Sequence, residues 1–482
     1  MVLRRTLTEP QPFLHLVNAA SQRPASTALV SPERTMTFSE LLTQSARIAS
    51  QLRSLGVKKG DLVAVAAHND LQVLFAEALF ALGAVGAIYP GVVTSELSVP
   101  FDWLLAVEPS PAFPADKTIQ IGQKFFEDAA AITDDLTVTP YDDFDSTCRL
   151  IFSSGTTGVP SAVPISVAIA ESRTLDYEAA WMHTMPFMTL IPMTGGIGFN
   201  AAYASIANGD TYFCPGSTEE NFSIIEQHFV SSLHASPAQL AELIEQAKER
   251  GSGLENLAII YAAGSALPAP LSDALRSLSP ATIMSSFGST EAGGVMNGTI
   301  AVDGSVIYDP PLPSVHLEVV DDQGNPVPTE TIGRLRIRSR SLPSGYAYLS
   351  VPDDSFQDGW FYSGDLAAQR VDGSVSLHGR SNEVINFNGV KINPEYLDGM
   401  LLSVPGVHDL AVFSVEGEVG ETNAVVGIVV GDDFDLPTLQ AEFSKFAQGL
   451  SIAGIFRVAE IPRSPMGKPL RKALAEQYRS AE

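Results

Sequence analysis

Leu150-Ile151-Phe152-Ser153-Ser154-Gly155-Thr156-Thr157-Gly158-Val159-Pro160 is the stretch on which the reading of this chain turns. The three apolar residues read as a strand end. From Ser153 to Gly158 every residue is Ser, Thr or Gly. Such a loop offers closely spaced backbone N–H groups and hydroxyls with almost no side-chain bulk, which is what a polyphosphate needs. No Gly-Lys-Ser/Thr follows at the required spacing, so this is not a Walker A loop. Taken alone, the same residues also describe a surface turn.

Upstream, Phe38 to Leu55 carries apolar residues at helical spacing and stops at Gly56. Leu62 to Val65 reads as a short buried strand, Leu71 to Leu82 as a helix and Ala84 to Tyr89 as a strand. This alternation predicts an α/β unit with a parallel sheet. Segment 100–145 is rich in Pro and Asp and reads as loops with a strand near Ile119. Downstream the alternation resumes, with a helix at 238–250, a strand at 257–262 and a helix at 269–278. From 304 to 378 the pattern turns to alternating strands with an Asp-Asp-Gln-Gly-Asn turn at 321–325, a β-rich subdomain. A compact α+β unit follows, with a helix opening at Pro394, strands at 410–415 and 424–430, and a helix at 436–450.

The 482 residues allow about three domains or subdomains. A net charge of −26, from 29 basic and 55 acidic residues, argues against nucleic acid and anionic membranes as partners. Two cysteines, Cys148 and Cys214, supply neither a disulfide framework nor a metal spacing. The longest apolar stretch, Val73 to Val93, is broken by Glu77, glycines and Pro90, and reads as buried helix, turn and strand rather than a membrane span. A cytoplasmic protein, monomeric or homodimeric, is the expectation.

Four further motifs follow the loop in order. Ser285-Ser286-Phe287-Gly288-Ser289-Thr290-Glu291 offers an aromatic face for a base, a hydroxyl for a phosphate and a carboxylate for Mg²⁺, or else a core Phe beside a turn. In Gly359 to Leu366, Asp365 after Gly364 can take both hydroxyls of a ribose, although Gly-Asp is also ordinary turn chemistry. Gly379-Arg380-Ser381-Asn382, running on to Gly389-Val390-Lys391, suits a hinge with a phosphate or ribose contact, or else is a surface arginine in an ordinary linker. Gly467-Lys468-Pro469 presents a lysine on a Gly turn near the C-terminus, a pattern that more often marks a solvated charge.

Together these residues resemble the acyl-adenylate-forming (ANL) superfamily: acyl- and aryl-CoA synthetases, adenylation domains of nonribosomal peptide synthetases, and firefly-type luciferases. The resemblance runs from Thr37-Phe38-Ser39-Glu40-Leu41 to Arg471, and includes Gly264-Ser265-Ala266 as an adenine-side segment and Gly333-Arg334-Leu335 with Gly345-Tyr346 as a β-subdomain motif. It implies an α/β fold. Residues 1–380 would form a large N-terminal domain of two α/β subdomains plus the β-rich one. Residues 381–482 would form a small mobile α+β lid.

The activity it implies is attack of a carboxylate on the α-phosphate of ATP–Mg²⁺, release of pyrophosphate, and capture of the acyl group by a thiol. That thiol would belong to coenzyme A or to the phosphopantetheine of an acyl carrier protein. Ser153, Ser154, Gly155, Thr156, Thr157 and Gly158 would wrap the phosphates. Gly264, Ser265, Ala266, Ser286, Phe287, Gly288 and Ser289 would hold the adenine side. Thr290 would meet the α-phosphate, with Thr156 and Glu291 at the metal. Asp365 would hold the ribose beside Arg380, and Lys391 would contact the AMP phosphate. Lys468 would bridge the carboxylate and the α-phosphate. Asn382 would be the hinge and Gly389 would line the thiol tunnel. Thr194, Phe199, Asn200, Tyr203, Gly288, Ala292 and Met296 would line the acyl pocket of a small carboxylic acid. No Asp lies in Met193–Tyr203 to clamp an α-amino group, which argues against an amino acid.

Departures from the family pattern are local. The loop ends Pro160-Ser161 where Pro-Lys is usual, and Arg173 or Lys468 is a candidate replacement cation. Thr194 stands where many relatives have His, Arg334 where Glu is usual, and Asn382 where the hinge is usually charged. A degenerate member that binds an adenylate without turnover is the alternative reading. Arg334, Arg336, Arg338 and Arg340 alternate along a predicted strand and would share one face, either as an anion-attracting strip or as an exposed face paired with local acids.

Overall fold

The computed structural model describes residues 7–88, 99–108, 110, 113–133, 137–153, 160–182, 185–251, 254–302, 304–348, 354–381, 385–387, 390–392, 394–402, 404–416, 422–431, 433–446, 452–463 and 469–481. The chain divides into two compact units. One comprises residues 1–234, 288–294 and 339–361, the other residues 235–287, 295–338 and 362–482.

The first unit is built on a six-stranded sheet. In spatial order its strands are Thr118–Gln120, Trp103–Ala106, Leu62–Ala66, Val85–Ile88, Thr147–Ser153 and Ser161–Ser166. All neighbours are parallel except the last pair, which forms the hairpin around the Ser/Thr/Gly loop. The helices Phe38–Ser54 and Asn69–Leu82 fall where the apolar spacing predicts them. Thr37 starts the first with a reciprocal capping box to Glu40, a motif worth about 1 kcal/mol. Between residues 100 and 145, Trp103–Ala106 is a strand and Gln123–Ala130 a helix, where the sequence suggests loops around a single strand. The four-residue strand is too short to show a period, and burial of its last three residues removes the alternation.

The second unit's sheet runs in the order Val315–Val320, Gly333–Ser339, Trp360–Gln369, Val375–Arg380, Val306–Tyr308, Gly293–Ile300, Thr282–Ser289 and Ile259–Ala263. The last two are parallel, with Ala263 opposite Ser286. Near the C-terminus, Val407–Glu416 pairs antiparallel with Thr422–Val430, which pairs parallel with Gly454–Arg457. Alternate residues of the first strand serve two cores. Leu410 and Val412 join Leu397, Leu439 and Phe443, whereas Ala411 and Phe413 join Ile461 and Leu474. The sheet thus has an apolar layer on each face, as its period-2 pattern requires. Among the described residues, no helix is long and apolar enough to cross a membrane.

Candidate active site

In the first unit the parallel strand Thr147–Ser153 ends at Ser153, which is buried and registers with Ser161 across the hairpin. Ser154, Gly155, Thr156, Thr157 and Gly158 lie outside the described residues.

Thr290 and Glu291 form the turn between two strands. The turn is tight because its glycines let backbones meet. A Cβ on Gly288 would sit 2.3 Å from the Gly293 carbonyl oxygen, and Gly293 has φ +72°. Ala292 N–H donates to Ser289 Oγ at 3.0 Å. Glu291 is 7% exposed, and its Oε1 accepts a 2.8 Å hydrogen bond from the Tyr346 hydroxyl.

Arg173 braces this turn from beneath. It lies on the helix Val167–Trp181 and is 2% exposed. Its Nη1 donates to the Thr290 carbonyl at 3.0 Å and its Nη2 to the Glu291 carbonyl at 2.6 Å. Nε and Nη2 both donate to the Ser341 carbonyl, at 3.1 and 3.0 Å. Burial pushes the guanidinium down to about 10, against the opposing pull of Glu291 and Asp176. The expectation that Arg173 replaces the missing loop lysine is therefore corrected. Its donors are spent on backbone carbonyls, and a buried fork of this kind holds a turn in place.

Thr194 is half-buried and leads into the helix Gly196–Asn208, whose Gly196 lies against Thr290. Phe199, Asn200 and Tyr203 are buried on that helix. Phe199 stacks on Tyr203 with centroids 5.8 Å apart, and Tyr203 meets Phe80 and His15 edge-on. The Tyr203 hydroxyl donates to Glu171 at 2.8 Å, on the oxygen that also meets His15 Nε2 at 2.7 Å. These two rings are thus engaged in an internal cluster. Ala292 is buried, and the Gly288 backbone is exposed.

In the second unit, Gly264-Ser265-Ala266 follows the end of strand Ile259–Ala263, with Gly264 at φ +93°. Its neighbour in the sheet carries Ser286 and Phe287. Ser286 Oγ donates to Asn297 Oδ1 at 2.9 Å, and half-buried Phe287 meets Tyr308 edge-on at 6.0 Å. The Gly264 segment leaves the carboxyl end of its strand and Ser286-Phe287 lies near that of its parallel neighbour, the end at which open α/β sheets place their ligands. Met296 is fully buried.

Asp365 and Arg380 are directly opposite on an antiparallel pair. Arg380 Nε lies 3.0 Å from Asp365 Oδ1, and its Nη1 donates to the Ser363 carbonyl at 3.3 Å. Lys391 is on the strand Val390–Ile392, opposite Asn386. Asn382, Gly389 and Lys468 lie outside the described residues.

The arginine alternation holds for Arg334, Arg336 and Arg338, whereas the strand ends at Ser339 and Arg340 lies in the turn that follows, off the strip. Leu335 and Ile337 are buried between Arg334, Arg336 and Arg338. Arg336 is bound by Glu318 at 2.5 Å and by the Tyr362 hydroxyl at 3.1 Å, and Arg334 lies over the Tyr362 ring. Local pairing thus uses the centre of the strip.

Sequence reasoning missed the brace and its helix. The signal was present: Arg173, Tyr177 and Trp181 recur at i, i+4 and i+8, one helix face. Tyr346 was visible only as part of a β-subdomain motif, not as the hydroxyl that fixes Glu291.

Residues 16–347 match the family model described as AMP-binding enzyme. Naringenin synthase of Pestalotiopsis fici is 25% identical over 96% of this chain, but the chain spans only 19% of that protein. The 4-coumarate–CoA ligase-like 9 protein of Oryza sativa subsp. japonica is 26% identical, with 98% of this chain and 93% of that protein covered. Among solved structures, the anthranilate CoA ligase AuaEII in complex with anthranoyl-AMP superposes with a TM-score of 0.88 at 20% identity, covering 99% of both chains.

Proposed function

We propose, from the premise that this chain belongs to the AMP-binding enzyme family, that it activates a small carboxylic acid with ATP and passes the acyl group to coenzyme A. It is an AMP-forming acid–thiol ligase. The choice of coenzyme A over a carrier protein is supported by the naming of a full-length relative as a CoA ligase-like protein.

One observation carries the reading: the Thr290-Glu291 turn is held rigid from below by Arg173 and from the side by Tyr346. A preorganised carboxylate beside a hydroxyl is what phosphoryl chemistry asks of a protein, because catalysis there is positioning and charge neutralisation. Glu291 fits Mg²⁺, a hard cation that takes one or two carboxylates alongside phosphate oxygens. When bound, Mg²⁺ would neutralise phosphate charge as the α-phosphate is attacked.

The chain's own residues divide the remaining work. Thr290 holds the α-phosphate and Phe287 stacks on the adenine. Asp365, oriented by Arg380, takes the ribose hydroxyls. Lys468 is assigned the bridge between the attacking carboxylate and the α-phosphate. Residues 381–482 act as a lid that turns about Asn382 and exchanges Lys468 for a tunnel bordered by Gly389, so that one cleft runs both half-reactions.

The test is ATP-dependent pyrophosphate release across a panel of aliphatic and aryl acids, with Lys468→Ala as the diagnostic variant. Lys468→Ala is expected to lose adenylation yet form thioester from supplied acyl-AMP. Comparing free coenzyme A with holo carrier protein identifies the acceptor. If no acid triggers release while AMP still binds, the ligase reading fails. The chain is then the adenylate-binding member without turnover that Ser161 suggests.

A further inference from the structure

We propose that Trp181 closes the inner end of the acyl pocket and limits the acid to a compact acyl group. This rests on the ligase reading above and on the expectation that Ala292 and Met296, on either side of Gly294, line the acyl pocket.

Gly294 lies in that segment. A Cβ built on it would fall 1.8 Å from Trp181 Cη2, with Cζ3 and Cζ2 at 2.7 and 2.9 Å. The indole therefore occupies the volume that a side chain at 294 would take. The Gly294 backbone keeps partial exposure, whereas Trp181 is 3% exposed. A partly accessible glycine thus borders a large ring that fills its side-chain position.

The ring is held in place from its far side. Tyr177 lies 5.1 Å from Trp181 at a 39° tilt, and His234 stacks at 5.9 Å and 25°. The Tyr177 hydroxyl and His234 Nδ1 are 3.4 Å apart, and Phe187 meets both rings edge-on. Four rings packed in rotamer-defining contact leave Trp181 little room to retreat. His234 is 1% exposed, and burial pushes it down to about 3, so the cluster adds no charge to the pocket. Trp181 also shares its helix face with Arg173. One rigid element therefore braces the Thr290-Glu291 turn and fixes how far behind it the acyl chain extends.

The experiment measures pyrophosphate release over a homologous series of straight-chain and aryl acids for wild type, Trp181→Ala and the milder Trp181→Phe. Kd values for the matching acyl-sulfamoyl adenosines, which need no turnover, are measured alongside. Removing the indole is expected to move the optimum to longer acids. Each newly buried methylene brings about fourfold in kcat/KM, from roughly 0.8 kcal/mol per methylene. Acids two methylenes longer then gain more than tenfold, the shortest acids lose through KM with kcat kept, and Trp181→Phe falls between. An unchanged length profile in both rate and Kd, in variants with wild-type circular dichroism, overturns the assignment. A shifted Kd profile in an enzyme that releases no pyrophosphate keeps the assignment and removes the ligase reading. Analogues that bind nowhere remove both.

Discussion

Replacing Arg173 by alanine is the sharpest perturbation of the site. It strands the carbonyls of Thr290, Glu291 and Ser341, which share four donor contacts from one buried guanidinium. Three buried acceptors without partners cost about 3–9 kcal/mol. Against this, the native protein already bears the burial of the charge. The guanidinium is pushed from 12.5 to about 10, which at ~1.4 kcal/mol per pKa unit amounts to about 3 kcal/mol that the variant recovers. The net expectation is a loss of about 3 kcal/mol, a large part of a domain's ~5–15 kcal/mol. Urea unfolding at neutral pH measures it. Activity should fall about a hundredfold, because a displacement of about 1 Å at a reacting centre has that effect. Arg173→Lys separates bracing from charge. A lysine keeps the cation but cannot span three carbonyls in a planar fork, so it should resemble alanine in stability. If Arg173→Ala unfolds within about 1 kcal/mol of wild type, or if lysine rescues turnover in full, the bracing argument is wrong.

Two further outcomes are expected. Glu77 is buried on the helix Asn69–Leu82, its Oε2 meets no polar partner among the described residues, and burial pushes its carboxyl from 4.5 to about 8. The folded state therefore holds a proton that the unfolded chain gives up above pH 4.5. The stability this contributes is full below that pH and is lost as pH rises towards 8, on the order of 5 kcal/mol by then. Glu77→Gln should be more stable than wild type in urea at pH 8 and gain nothing at pH 4. Gly198→Ala would place a Cβ 2.2 Å from the Pro192 carbonyl oxygen and 2.4 Å from that of Ile191. Because backbone cannot step aside, this variant should melt several degrees lower, and an unchanged melting temperature would contradict the packing described.

What could be read from the chain was local. Asp365 and Arg380 lie in one hairpin, close in sequence, although it takes a register shift between Asp365 and Ala367 to set them directly opposite. The C-terminal strands announce themselves through alternation because each face feeds a different core. The helix Gly196–Asn208 did not, because Gly198 through Asn208 are all buried and a helix buried all round has no amphipathic stripe. Arg173 and Glu291 are 118 residues apart, and no spacing rule links them. Only the i, i+4, i+8 row of Arg173, Tyr177 and Trp181 hinted that the helix faces something polar at one end and aromatic at the other.

The loop that identifies the family ends in Ser161, and three buried arginines of this chain have their donors engaged within the fold. Arg149 donates to the Met193 carbonyl at 2.6 Å and lies 4.3 Å from the Phe199 ring centre. Arg471 donates to the Val412 carbonyl at 2.8 Å and to Asp398 at 2.6 Å. With Arg173, these are three guanidiniums at 2–8% exposure, each donating to at least one backbone carbonyl and Arg471 also to a carboxylate. Each of them tightens the fold at the cost of a cation that phosphates could use. Arg380 keeps a third of its side chain accessible but is paired with Asp365. On the ligase proposal, a leaving pyrophosphate would have to be neutralised by groups other than these four arginines.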